Sequence, residues 1–524
     1  MRKLYFNGTI ITMEDTNPEA VLVNDDKIEK VGSFKELCEQ AKDALLIDLK
    51  NHTMLPAFID AHSHFSSYAS AQMQVDLDGV ISIEEIKNRI LSFINNNNVK
   101  AGEWVIGCGY DHNLLNEKVH PSNEQLDLIA PHNPLFLQHQ SGHCGVVNTQ
   151  ALKNLGIDDT TPSPSGGLVG KTSGKCNGYL EEAAFISSIK KVPMADLETM
   201  LDSYRKAQKK YLSYGITTIQ EGMMVEQMVG LYKCLLNSNL LELDLVAYPD
   251  MKSMDVVKKT FPESIKKYHQ HFKIGGYKII LDGSPQVRTA WMKTPYLNSD
   301  TCGYGVMSDE EVYLAIKQAN DSQMQILAHC NGDRACLQYI DAIAKVDQED
   351  KGIELLRAVM IHAQLLNLDQ LNDVAKYHII PSFFIAHILH WGDIHIKNFG
   401  NVRASCISPA KSALSHHITF TFHQDAPVIE PNMLETIQCA VVRKNKYGEV
   451  MGKDECLDVY DALKAITIHA AYQYFEENQK GSIKEGKQAD FVILDKNPLI
   501  VDPEQIAKIK VLETIKDGIT LYSL

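Results

Sequence analysis

Through the middle of the chain, short apolar runs alternate with stretches whose apolar residues recur every three or four positions. The first pattern suits buried strands and the second suits helices with one apolar face. Eight runs read as strands: FIDAHSH (58–64), GITTIQEG (215–222), LELDLVAYPD (241–250), KIGGYKIILDG (273–283), QMQILAHCNG (323–332), LRAVMIHAQ (356–364), HIIPSFFIAHI (378–388) and HITFTFHQDAP (417–427). Helical patterns lie between them, at MADLETMLDSYRKAQKKYLSYG (194–215), SDEEVYLAIKQANDS (308–322) and NLDQLNDVAKY (367–377). Ser308 followed by Glu311 is a capping box, which marks a helix start. From the second run onward the strands recur roughly every 25–40 residues, the spacing of βα units. Eight such units predict an α/β fold, a closed (β/α)8 TIM barrel rather than an open sheet.

Both ends of the chain read differently. LYFNGTIIT, AVLVNDDKIEKVG and ALLIDLKNHTML at the start are short strands punctuated by turn residues at Asn7-Gly8 and Asn24 to Asp26. GSIKEGKQADFVILDKNPL and KVLETIKDGITLY at the end follow the same style. Residues 1–54 and 475–524 are therefore expected to pair into one small β-rich domain, with the barrel over 55–474. About 150 residues separate the first and second strands, far more than one helix needs. An insertion at 66–195 is expected there, containing GEWVIGCGYDHN, a helix near Glu124 to Ile129 and a Gly- and Ser-rich stretch from Ser163 to Gly178. Its expected place is over the strand ends, where it would shape a substrate pocket.

Length and charge narrow the function classes. The 524 residues exceed one simple core, and the 44% apolar and 22% charged content is that of a soluble globular chain. A formal charge of -15 disfavours nucleic acid as a partner. No run approaches the roughly 18 apolar residues of a membrane span, and the N-terminus reads as a strand rather than a signal peptide. Eleven cysteines without a C-x-x-C pair fit a reducing cytoplasm better than a disulfide framework. Dimerisation is compatible with a large acidic barrel, although no stretch carries an interface signal.

Barrel enzymes place their chemistry at the carboxyl ends of the strands. The first strand ends in Asp60-Ala61-His62-Ser63-His64, and residues two apart on a strand face the same side, so His62 and His64 can aim at one metal ion. The fifth strand ends at His329, the sixth at His362 and the eighth at Asp425. A single histidine there is most simply a hydrogen-bonded core residue; four at three matching strand ends are less easily explained that way. A carboxylate at Asp425 can bind metal and take a proton from bound water. Lys278 stands inside the apolar run of the fourth strand. It reads either as a lysine paired with Asp282 or snorkelling outward, or as an amine with a depressed pKa.

Taken together, PAFIDAHSH, SGHCGVVNTQAL, GITTIQEG, YKIILDGSPQVRTAWM, LAHCNGDRA, IHAQ, HQDAPV and GSIKEGKQADFVILDKNPL resemble the amidohydrolase superfamily. Within it they resemble the AepA/YtcJ-like group that includes N-substituted formamide deformylases. The resemblance implies a barrel plus a terminal β-sandwich. It implies that His62 and His64 bind a first divalent metal, and that Lys278, as a carbamate, bridges to a second held by His329 and His362. Zn2+ suits these ligands, as do Fe, Mn or Ni, and one ion suffices if Lys278 is unmodified. Asp425 is implied as ligand and proton shuttle, with a metal-bound hydroxide attacking the scissile carbonyl of a small-molecule amide or other non-peptide C–N bond.

His143 in SGHCGVVN is a candidate catalytic contact to the carbonyl oxygen or leaving group, and Arg288 in QVRTAWM a candidate partner for a substrate anion. Asp333 and Arg334 are expected to brace a loop as an ion pair. His387 fits the family's seventh-strand histidine as a substrate contact, but Phe384 and Ile385 stand where the family tends to have Gln-Pro. His139 and the pair His423-Gln424 also depart from the pattern. His423 faces the same way as Asp425 and reads as a partner or an extra ligand. Two alternatives stay open: lactone or ester hydrolysis on the same site, and a regulatory relative without turnover.

Overall fold

A computed structural model describes residues 1–193 and 195–524. The eight central runs form strands at Phe58–Ile59, Ile216–Met224, Asp244–Pro249, Phe272–Ile274 with Gly276–Ile280, Gln325–Cys330, Val359–His362, Ile380–Phe383 and Thr421–Phe422. They pair in parallel with their neighbours in chain order. They lie in two sheets, the first ending at Phe272–Ile274 and the second starting at Gly276–Ile280. The fourth run breaks at Gly275-Gly276. A Cβ on Gly276 would lie 2.0 Å from Gln325 O and one on Gly275 2.7 Å from the Tyr248 ring. Only glycine lets the backbone pass there. A parallel bridge from Asp250 to Lys278 continues the strand order across the break.

These strands are buried almost throughout, as parallel strands covered by helices must be. The helix Asp309–Asp321 shows how the covering elements are specified. Ser308 Oγ accepts the Glu311 N–H, and the Glu311 carboxylate accepts the Ser308 N–H at 2.8 Å. Val312, Ala315, Ile316 and Ala319 then fall on one buried face. The helix read from position 194 runs Leu197–Ser213; Met194 itself lies outside the described residues.

The chain divides into two compact units, residues 1–66 with 207–524, and residues 67–206. In the first, the two ends share a sheet. Thr53–Pro56 pairs antiparallel with Phe491–Leu494, which continues to Val511–Lys516 and Ile519–Ser523. A second sheet holds Lys27–Gly32, Ala20–Asn24, Arg2–Phe6 and Leu45–Asp48. Tyr5, Val21, Val23 and Ile28 pack with Met54, Phe491, Ile493 and Ile515 in one apolar core.

The unit 67–206 has its own six-stranded sheet and core. The helix read near Glu124 is Asn123–Ile129, started by a capping box between Ser122 and Gln125. The Gly- and Ser-rich stretch is not a plain loop: Gly167–Thr172 and Lys175–Glu182 pair as a hairpin around Ser173-Gly174.

Candidate metal centre

The carboxyl ends of five strands converge on one point. His64 Nε2 lies 3.4 Å and His62 Nε2 3.6 Å from Asp425 Oδ1, while His362 Nε2 lies 3.9 Å from Asp425 Oδ2. Lys278 Nζ is 3.3 Å from His62 Nε2, and the His329 and His362 ring centres are 4.6 Å apart. All six residues read as ligands from the sequence are thus neighbours. His62, Lys278, His362 and Asp425 are buried, at 1%, 3%, 5% and 9% exposure. His362 and Asp425 also hold left-handed backbone, with φ of 72° and 55°, a costly conformation that concentrates at functional sites.

Hydrogen bonds behind the histidines set which nitrogen faces inward. Gln220 Nε2 is 2.8 Å from Ala61 O and 2.9 Å from Tyr474 OH, which turns Gln220 Oε1 to the His62 ring. His62 Nδ1–H donates to that oxygen at 2.5 Å, which leaves Nε2 as an acceptor, 3.3 Å from Lys278 Nζ. His362 Nδ1 donates to His423 Nε2 at 3.1 Å, and His423 Nδ1 in turn to Ser382 Oγ at 2.9 Å. Burial holds His62 and His362 well below the usual imidazole pKa and His423 at about 3, so all three are neutral at pH 7, the form that binds metal.

Between Asp425 and His62, an acceptor faces an acceptor. Asp425 Oδ1 is buried and makes no hydrogen bond, yet it points at His62 Nε2, which carries no proton. A cation between them removes that repulsion. The ligand spacings of 3.4 and 3.6 Å match the edge of a tetrahedron with bonds of about 2.0–2.1 Å, which is about 3.3 Å. Burial lowers Lys278 to about 7, against the opposing pull of Asp425, so much of it is a neutral amine near pH 7.

The reading of Lys278 as a partner of Asp282 is not what the structure shows. Asp282 accepts the N–H groups of Trp291, Asn331 and Gly332 at 2.8–3.0 Å and lies 3.3 Å from His329 Nδ1. It therefore braces the loop after the fifth strand and flanks His329. Asp333 and Arg334 also do not pair: Asp333 accepts the Lys293 N–H at 2.8 Å and Arg334 lies 5.1 Å over the Trp291 ring.

The three remaining candidates sit elsewhere. Arg288 Nε donates to Asn398 Oδ1 at 2.8 Å. His387 is buried, 3.1 Å from His395 Nε2 through Nδ1, and the Phe384 ring meets it edge-on and His423 at a tilt, at ring separations of 4.5 and 5.4 Å. His143 belongs to the unit 67–206, where its largely exposed ring lies 3.2 Å from Glu182.

Three supporting residues escaped the sequence reading. Gln220 had one signal, a polar residue inside an apolar strand. Ser382 had a similar, weaker one. Gly222 had none, although a Cβ there would lie 2.4 Å from His62 Cε1.

A family model described as "Amidohydrolase family" matches residues 45–522. The chain is 28% identical to the protein YtcJ of Bacillus subtilis (strain 168), covering 100% of this chain and 99% of that one. It is 26% identical to the N-substituted formamide deformylase of Arthrobacter pascens, covering 99% and 98%. The crystal structure of an uncharacterized metal-dependent hydrolase from Pyrococcus furiosus superposes with a TM-score of 0.75 at 23% identity, over 95% of this chain and 100% of that one.

Proposed function

The chain belongs to the amidohydrolase family, and from that premise we propose that it is a metal-dependent hydrolase of amides or other non-peptide C–N bonds in a small molecule. The observation that carries this reading is the buried Asp425 Oδ1, which makes no hydrogen bond and lies 3.4–3.6 Å from His64 Nε2 and His62 Nε2. The similarity to a formamide deformylase over nearly the whole length supports the bond class. The parallel chain-order pairing supports one closed (β/α)8 barrel over 55–474 interrupted by the inserted unit, and the shared sheet supports a sandwich of 1–54 with 475–524.

His62, His64, Lys278, His329, His362 and Asp425 would hold one or two divalent ions, with Zn2+ suited to their nitrogen and oxygen donors. When bound, such an ion supplies Lewis acidity toward water and a carbonyl oxygen. Lys278 as a neutral amine can add carbon dioxide, losing one proton and gaining two oxygen donors. Gln220 and His423 keep His62 and His362 in the ligand tautomer. Asp425 takes a proton from the attacking water and delivers it to the leaving nitrogen, which departs as a neutral amine. Arg288 and His387 are the substrate contacts in this proposal.

Elemental analysis of protein grown with Zn or Mn and purified without chelators tests the centre. With His112 and His139, which lie outside this centre, replaced by alanine, about two equivalents per chain support a binuclear site, about one supports a mononuclear site, and none after reconstitution overturns the proposal. A panel of N-substituted formamides, other amides and lactones then tests the bond class. Turnover of lactones alone would reject C–N hydrolysis. Asp425→Asn is expected to lower kcat by about 10²–10⁴-fold on the active class; near-normal kcat removes Asp425 as the shuttle.

A further inference from the structure

A second constellation lies wholly inside the unit 67–206. The strands Val105–Tyr110 and Leu135–His139 run parallel, so their carboxyl ends emerge at the same edge. One ends in Asp111-His112 and the other in His139. The register shifts between Gln138 and His139, so that His139 sits opposite Tyr110 and skips Gly109, whose φ is +96°. Such a bulge re-aims a side chain, and here it aims His139 at the neighbouring strand end. His139 Nε2 lies 3.1 Å from His112 Nδ1 and 3.3 Å from Asp111 Oδ1, and His112 Nδ1 lies 3.8 Å from Asp111 Oδ1.

From these distances we propose that Asp111, His112 and His139 form a second binding site for a divalent transition-metal ion of the zinc class. The three donor atoms come from two side-by-side strand ends, and their separations bracket the roughly 3.3 Å edge of a tetrahedron with bonds of about 2.0–2.1 Å. Two imidazoles and one carboxylate leave a fourth position for water. The side chains are only partly exposed, at 29% for His112, 21% for Asp111 and 10% for His139, so the ion has an entry path and a shielded floor.

The surroundings hold the ligands in place. Asn113 donates its backbone N–H to Asp111 Oδ1 at 2.8 Å and its side-chain amide to the same oxygen at 3.0 Å. His120 stacks on His112 with ring centres 3.9 Å apart and is fixed by Tyr110 OH, 3.0 Å from its Nδ1. His139 Nδ1 takes the Ser141 N–H at 3.1 Å in the metal-free form, with the ring proton on Nε2. In the other tautomer Nδ1 donates to Ser141 Oγ at 2.9 Å, which frees Nε2 as the donor atom toward the ion.

The test compares the full-length protein with its His112→Ala/His139→Ala variant after equilibration with excess zinc and gel filtration. Elemental analysis is expected to give one zinc fewer per chain in the variant. The same zinc is expected to persist in a His62→Ala/His64→Ala chain, which separates this site from the centre at the strand ends. Asp111→Asn preserves the side-chain shape and is expected to weaken zinc binding at this site at least tenfold in competition with a chromophoric chelator, with unchanged circular dichroism. Equal zinc in the unaltered protein and a folded double variant overturns the site. An unchanged competition curve for Asp111→Asn overturns it too. Either result leaves a hydrogen-bonded cluster.

Discussion

Gly222→Ala probes the centre through a residue that donates nothing to a metal. The added Cβ would lie 2.4 Å from His62 Cε1, 2.8 Å from His62 Nδ1 and 2.9 Å from Ser63 O. Carbon atoms in contact sit about 3.5–4.0 Å apart, so the ring must retreat by about 1 Å. It has little room to do so, because Gln220 holds Nδ1 at 2.5 Å and Lys278 lies 3.3 Å from Nε2. A metal site tolerates ligand displacements of only about 0.2 Å. Disturbing what orients a ligand weakens metal binding about 10–100-fold, and each tenfold is about 1.4 kcal/mol. Overpacking adds a fold destabilisation of about 1–3 kcal/mol. The assay is zinc affinity by chelator competition, with thermal unfolding alongside. Gly230→Ala is the control, since a Cβ there meets nothing within 4 Å. Wild-type zinc affinity and melting temperature in Gly222→Ala would refute the account of how His62 is held.

Three further outcomes are expected. Lys278 in the folded, metal-free chain titrates at about 7, below its unfolded value of about 10.4. Between those values the unfolded chain binds the extra proton, so stability rises with pH by at most about 1.4 kcal/mol per unit. Urea unfolding of the metal-free protein from pH 7 to 9 should show a steeper rise for wild type than for Lys278→Met, and equal slopes would remove the buried-amine argument. Asp282→Asn places an amide where three backbone N–H groups need acceptors, and is expected to cost about 1–3 kcal/mol in denaturant unfolding and to loosen His329; an unchanged midpoint contradicts this. Asp244 accepts from Lys480 at 2.5 Å and Lys516 at 2.9 Å, both 2% exposed. Asp244→Ala should therefore destabilise the fold by about 3–5 kcal/mol, because two buried ammonium groups lose a partner. A loss under 1 kcal/mol would show that water reaches them.

Much of the centre was legible because strand periodicity and strand ends are local properties. His62 and His64 share a side because residues two apart always do. His329, His362 and Asp425 were found by the rule that chemistry gathers where parallel strands end. The same reasoning placed Lys278 in an apolar strand but left its partner open, and the structure puts it beside His62 rather than Asp282. The expected Asp333–Arg334 pair shows the opposite failure. Adjacent opposite charges look like a pair in sequence, yet each found a better partner across a loop, the Lys293 N–H and the Trp291 ring.

By itself, the sequence determined the eight strand runs, the Ser308–Glu311 cap, the strand-like ends and the residue types at each strand terminus. These depend on contacts within a few positions, where hydrophobic period and capping chemistry decide the outcome. Tertiary structure alone decided that Gln220 sets the His62 tautomer, that Gly222 leaves room for its ring, and that the Gly- and Ser-rich stretch pairs as a hairpin. It also brought Asp111 and His112 beside His139, 27 positions from His112, through a strand pairing with one skipped residue. Distances of 2–4 Å between groups far apart in the chain follow from packing and register, and no local pattern encodes them.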